Sequence, residues 1–485
     1  MSNIYNAIQN LYNMDKTTWQ EVLAELYNLV SNVENKFDLF ENKFGLLLGK
    51  EVTRELKKMY DDGSLSSLIN DKLLKDINTI VDGFKTEVNE QLDTIVKNSN
   101  EVSVANFGAV GDGITDDTNS FLNAINYCLT NKKVLLIPSG VFLVNLELTN
   151  CNGLYIKGTG YNDTVLKSIS NKPTLKIFGE TLSSRVIWVK LENFRIDGAG
   201  KSTCLELVKC QNFTLTDVRL QNGKQGINCI DVWDTDVYSM NIVKCSDELN
   251  NRYALTLTSD EDCCNAMKFF GLRIEHCGLF INSLKTRHTY FTNCKFEQAK
   301  ENNNYNPFIF QDTREISFIN CMFVASKETF TNEAYVNGNS NLHFIKASTS
   351  EAKNSSYLKF TNCNFIGAGL AMQVWYIGEC TTFTNCDFIR AYGGAYTCFN
   401  CQGYVKFKNC SIVAYGGGKI FAIANKFNDI EIDCVLNTVS PAFLILSSTA
   451  LNNNFLYCIT NTELSSDWLK DDGNVKANNN IKERY

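Results

Sequence analysis

Two phrases of the sequence end an apolar run on a glutamate: Gly271-Leu-Arg-Ile-Glu-His-Cys277 and Tyr290-Phe-Thr-Asn-Cys-Lys-Phe-Glu297. Glu275 and Glu297 stand 22 residues apart. If successive strands stack at that spacing, the two carboxylates meet on one outer surface about 5 Å apart. A retaining glycosidase uses a pair at about that distance as general acid and nucleophile, and a one-position stagger would open it toward the inverting range. Stacked like charges cost free energy unless something neutralises them. Arg273, His276, Arg287 and His288 are near enough in sequence to do so, or to hold an anionic substrate. The competing reading is two surface glutamates falling into step by chance.

Asp260 and Asp262, within Ser259-Asp-Glu-Asp262, are expected to complete the catalytic set, with Asp231, Asp234 and Asp236 in reserve. Acidic runs of this kind are more commonly solvated turns. Trp233, Trp375 and Tyr376 are candidate sugar-stacking platforms, with core packing as the alternative for each. Gly198-Ala-Gly-Lys-Ser-Thr203 imitates a phosphate-binding loop, but Arg195 stands where its first glycine is required, so a strand-connecting turn is the better reading. Neither the Cys263-Cys264 pair nor the Cys398/Cys401 spacing is completed by a second Cys-x-x-Cys, and there are three histidines in all. No metal and no cofactor is expected.

Strands must position these side chains. Asn293-Cys-Lys-Phe296, Asn320-Cys-Met-Phe323, Asn362-Cys-Asn-Phe365, Asn385-Cys-Asp-Phe388 and Asn409-Cys-Ser-Ile412 repeat one pattern, and cysteines at 363, 386, 410, 434 and 458 recur every 23 or 24 residues. A fixed period of that length with strand content is one coil of a parallel β-helix. Alternation puts Cys and the apolar residue two positions on along the same inward face, with Asn at the preceding turn. The 19 cysteines then read as buried reduced thiols rather than a disulfide framework. The longer gap from Cys321 to Cys363 predicts a loop inserted into one coil.

Ahead of the repeats, Asn106-Phe-Gly-Ala-Val-Gly-Asp-Gly-Ile-Thr-Asp-Asp-Thr118 reads as a Gly-rich turn and an acidic helix cap at Asp116 and Asp117. An amphipathic helix follows, with Phe121, Leu122, Ile125 and Leu129 on one face, then a strand at Val134–Ile137. This motif resembles the opening segment of the pectate-lyase-like right-handed β-helices of phage tailspikes and polysaccharide-degrading enzymes. Leu154-Tyr-Ile-Lys-Gly-Thr-Gly160 is similar to the same family.

Trp19, Leu23, Leu26, Val30, Val33, Phe37, Phe40, Phe44 and Leu47 alternate steps of four and three, the seam of a coiled coil. Bulky Phe at three consecutive seam positions favours a trimer. After a break at Asp61-Asp62-Gly63-Ser64 a second helical stretch runs to about 95. Tyr60-Asp-Asp-Gly-Ser-Leu-Ser-Ser-Leu-Ile-Asn70 resembles helical N-terminal modules of tail appendages from phages of Gram-positive bacteria.

The expected organisation is a mainly β chain: a helical coiled-coil stalk for virion attachment over 1–97, a right-handed parallel β-helix over 98–460, and a cap or flexible tail over 461–485. A net charge of −7 argues against binding nucleic acid broadly. The polar N-terminus, and the lack of any apolar run of spanning length, argue against membrane insertion or an export signal. The resemblance implies a homotrimeric receptor-binding tailspike in the virion, assembled in the host cytoplasm. It would contact other tail proteins through its stalk and a host glycopolymer, wall teichoic acid or capsule, through its β-helix, and depolymerise that polymer. A spike that binds without cutting, and a secreted bacterial polysaccharide lyase, are the alternatives.

Overall fold

The computed structural model describes residues 100–298 and 306–324, short segments from there to 484, and scattered positions between 58 and 87. The chain divides into two compact units, Met1–Asn98 and Ser99–Tyr485. In the first unit the described residues between 75 and 87 are helical and exposed. The predicted seam from Trp19 to Leu47 lies outside the described residues.

The second unit opens on the Gly-rich motif. Gly108 and Gly111 take φ of 87° and 68°, and a Cβ on Gly111 would stand 2.7 Å from the Phe142 ring, so glycine is required there. Asp117 is where the sequence expectation needs correcting. It occupies the helix N-cap position but makes no side-chain cap bond. Its buried carboxylate instead accepts the Val110 and Gly111 N–H groups at 2.7 and 3.2 Å, closing the turn on itself. The helix α1 (Thr118–Asn131) buries Phe121, Ala124, Ile125 and Cys128. Leu122 and Leu129, expected on that stripe, flank it half-buried. Phe121 meets Phe142 edge to face with ring centroids 5.4 Å apart, which docks the helix onto the first coil.

Each coil that follows carries a strand in each of three parallel sheets. Lys190–Glu192, Thr214–Thr216, Asp236–Tyr238 and Lys268–Phe270 are successive strands of the first. Thr164–Lys167, Arg195–Asp197, Arg219–Gln221, Asn241–Val243, Arg273–Cys277 and Lys295–Gln298 belong to the second. The third runs from Leu146–Leu148 to Leu469–Asp471. The Gly198–Thr203 loop is a turn between the second and third sheets, as its sequence implied.

Between the first and second sheets the chain bends through one left-handed residue. Asn193, Asp217, Ser239, Asn293, Asn320, Asn362, Asn385 and Asn409 all have φ between 50° and 60°. Asn tolerates that region better than other side chains, and here it gains further. The Nδ2 of Asn362, Asn385 and Asn409 each donates to the Oδ1 of the asparagine one coil earlier, at 3.2, 3.2 and 2.8 Å.

Two phenylalanine ladders fill the interior. Phe296, Phe323, Phe365 and Phe388 stack at 4.6–5.0 Å between centroids, the ladder of the Asn-Cys-x-Phe repeat. The second, Phe291, Phe318, Phe360, Phe383 and Phe407, stacks at 4.7–5.0 Å on the first sheet. Among the described residues the cysteines are buried and form no disulfide. The Cys363, Cys386 and Cys410 thiols lie 3.4–3.5 Å from the Phe318, Phe360 and Phe383 carbonyls one coil earlier.

The text that lengthens the Cys321–Cys363 interval falls between the strands Met322–Val324 and Ile345–Ser348, mostly outside the described residues. The stretch expected as a cap or tail contributes Leu469–Asp471 and Asn480–Arg484, paired onto Leu444–Leu446 and Asn454–Ile459. Strand pairing therefore continues to residue 484.

Candidate functional site

Parallel register places Glu275 directly opposite Glu297 on neighbouring strands of the second sheet. Each follows a buried apolar residue, Ile274 and Phe296, so alternation turns both carboxylates outward. Lys295, which the sequence reading did not single out, lies between them. Its Nζ is 2.5 Å from Glu297 Oε2 and 3.5 Å from Glu275 Oε1. Two oxygens that close to one nitrogen stand nearer each other than the ~6.5–9.5 Å of an inverting pair, and within reach of the ~5 Å of a retaining one. The bond to Glu297 comes first among the contacts that hold the Lys295 pKa above lysine's ordinary value. Lys295 thus supplies the neutralisation that the sequence had assigned to arginines and histidines.

The pair belongs to a longer row. Leu143, Lys167, Asp197, Gln221, Val243, Glu275, Glu297 and Val324 are register partners in succession at the strand ends of the second sheet. Beside it runs Asn241, Arg273, Lys295 and Met322. Arg273 is therefore outward, exposed and on the same strand as Glu275. His276 follows Glu275 at an exposed left-handed position, φ 55°, as Asn222 and Lys244 follow their strands.

The other predicted residues are placed elsewhere. Asp260 and Asp262 lie in the turn leaving the third-sheet strand Leu255–Thr258, a different corner of the coil from the Glu275 strand end. There the fully buried Asp231 accepts the backbone N–H groups of Asp260, Glu261 and Asp262 at 3.3, 3.1 and 2.9 Å. Arg185 donates to the Asp231 carbonyl, lies 3.8 Å from the Asp262 carboxylate, and stacks on Trp233 at 3.9 Å. Trp233 donates its indole N–H to Cys263 O at 3.0 Å. Asp231, Asp262 and Trp233 thus hold a turn together.

Arg287 and His288 follow that corner, where His288 lies 3.0 Å from Asn265 Oδ1 and 3.2 Å from Glu315. Trp375 ends the third-sheet strand Met372–Trp375, and Tyr376 lies outside the described residues. Among the described residues, no group of three or more His, Cys, Asp or Glu side chains is placed to hold a metal ion.

The class these coils define is the parallel β-helix. Residues 101–303 match the family described as rhamnogalacturonase A/epimerase, pectate lyase-like, in agreement with the resemblance carried by the opening motif. Among individual proteins, the chain is 27% identical over 318 residues to Depolymerase 1, capsule KN3-specific, of Klebsiella phage KN3-1. That alignment covers 59% of this chain and 39% of the relative, so the chain spans about two fifths of the relative's length. Among solved structures, the N-terminal fragment of gene product 12 of bacteriophage Phi29 shares the fold: TM-score 0.53, 12% identity, 81% of this chain and 73% of that one. The gp42 tailspike of Acinetobacter phage vb_AbaP_AS12 gives a TM-score of 0.48 at 12% identity, over 80% of this chain and 63% of its own.

Proposed function

We propose that this chain is a phage tailspike that binds a capsular polysaccharide of its host during adsorption and cleaves it. The observation that carries the reading is the 27% identity, sustained over 318 residues, to a phage depolymerase specific for a capsule. In this reading Glu275 and Glu297 are the reacting pair. One carboxyl gives its proton to the leaving oxygen while the other attacks the sugar carbon or activates water. Arg273 and His276, beside the pair on the same strand, hold an anionic substituent. Asp260 and Asp262 serve the turn instead.

The helical N-terminal region trimerises the spike through the Trp19–Leu47 seam and joins it to other tail proteins in the virion. A spike that binds without cutting is the second reading. One observation favours it: Lys295 already engages both carboxylates. The deciding experiment incubates purified protein with capsular polysaccharide and, in parallel, wall teichoic acid, and follows polymer length by gel filtration. Shortening of the capsule supports the first reading, shortening of teichoic acid changes the substrate, and binding without shortening leaves the second.

A further inference from the structure

The row that carries Glu275 and Glu297 begins in a cavity of about 750 Å³ lined by Gly113, Leu143, Lys167, Asp197, Lys201 and Asn222, among others. Neither lysine is ion-paired among the described residues. Lys201 is half-buried and spends one of its three N–H donors on Ile169 O, at 3.1 Å. Lys167 is exposed, and its ammonium makes no hydrogen bond among the described residues. The one carboxylate in the lining is committed. Asp197 Oδ1 accepts Ala199 N–H at 2.8 Å, and its Oδ2 accepts Asn222 Nδ2 at 3.2 Å. Two ammonium groups without an ion pair among the described residues therefore line a cavity that holds a single carboxylate, and the net positive lining favours an anion.

Asp197, Gln221, Val243 and Glu275 are successive register partners, so the cavity stands three strand spacings from the carboxylate pair, about 15 Å along the helix axis. That length suits a few linked sugar rings. We infer that this cavity is a subsite for an acidic sugar unit, with Lys167 and Lys201 as its anion-binding residues. A polymer chain lying along the row would present the unit there while another of its linkages meets Glu275 and Glu297. The inference rests on the proposed polysaccharide binding but not on cleavage. The anionic group is a ring carboxylate or a phosphodiester.

The test measures binding of the full chain, by fluorescence anisotropy, to labelled oligogalacturonate, poly(glycerol phosphate) and dextran. One acidic probe should bind at least about tenfold tighter than neutral dextran, and which one it is separates carboxylate from phosphodiester. K167A/K201A should lose about tenfold or more of that affinity, K167R/K201R should keep it, and raised salt should weaken the wild type toward the double-alanine value. Equal binding of all three probes, or undiminished binding by a K167A/K201A protein with wild-type circular dichroism and melting, overturns the subsite. Capsule cleavage unaffected by K167A/K201A would overturn the subsite and leave the tailspike reading standing. Lysine-dependent binding of an acidic probe by a protein that cuts no capsule would keep the subsite and overturn only the cleavage, leaving the spike that binds without cutting.

Discussion

Lys295 is the residue on which the chemistry of the outer row turns. Its pKa is raised by Glu297 first, so its bridging contribution is whole below lysine's ordinary 10.5 and fades only as pH climbs through the higher folded value. No lysine titration should therefore appear in a pH profile of activity at neutral pH. With these groups partly exposed, K295M should cost less than about 1 kcal/mol by urea denaturation. A larger loss would mean that the triad is a structural element. The ladder cysteines behave oppositely. Cys363 is pushed up to about 12, by its hydrogen bond to Cys321 first and by burial after. Folded protein at neutral pH should therefore leave Cys363 unlabelled by a thiol reagent, and rapid labelling would place it outside the core.

At the scale of elements, the turn between the first and second sheets is held by two separable effects. Asn385 sits at φ 51° and links Asn362 to Asn409 through side-chain amides. N385A loses both the tolerated left-handed conformation and the ladder bonds, a cost of about 2–3 kcal/mol. N385G loses only the bonds and should cost less, as chemical denaturation would show. Equal losses would assign the whole effect to hydrogen bonding. F383A removes a ring stacked on both sides, at about 3–5 kcal/mol.

These elements were legible because their signal is a period. Asn, Cys and Phe recur at fixed offsets, and register follows from the recurrence, which is how Glu275 and Glu297 could be set opposite each other from numbering alone. The second ladder, from Phe291 to Phe407, escaped because Phe two positions before the Asn reads locally as ordinary strand text. Lys295 escaped for a different reason: its role depends on which way a side chain reaches between coils. Asp117 was misread because N-cap and turn-closing carboxylates look alike until the backbone shows which N–H groups face them. Asp260 and Asp262 look close to Glu275 in sequence, yet one coil sends them around a different corner.

For the whole molecule, the proposed homotrimer rests on the heptad pattern that the sequence carries from Trp19 to Leu47. Light scattering should return three times the chain mass of 54.7 kDa, and a monomer at micromolar concentration would remove the stalk from the account. The substrate was the part least open to sequence reading, since a β-helix displays the same outward rows whatever polymer it meets. The most direct measurement is the rate of reducing-end release from capsular polysaccharide by the wild type, E275Q and E297Q, alongside binding of each to capsulated cells. The account predicts release by the wild type, a loss of about a hundredfold or more in each variant, and unchanged cell binding. Full activity in both glutamine variants would contradict the assignment of the outer row as the cutting site.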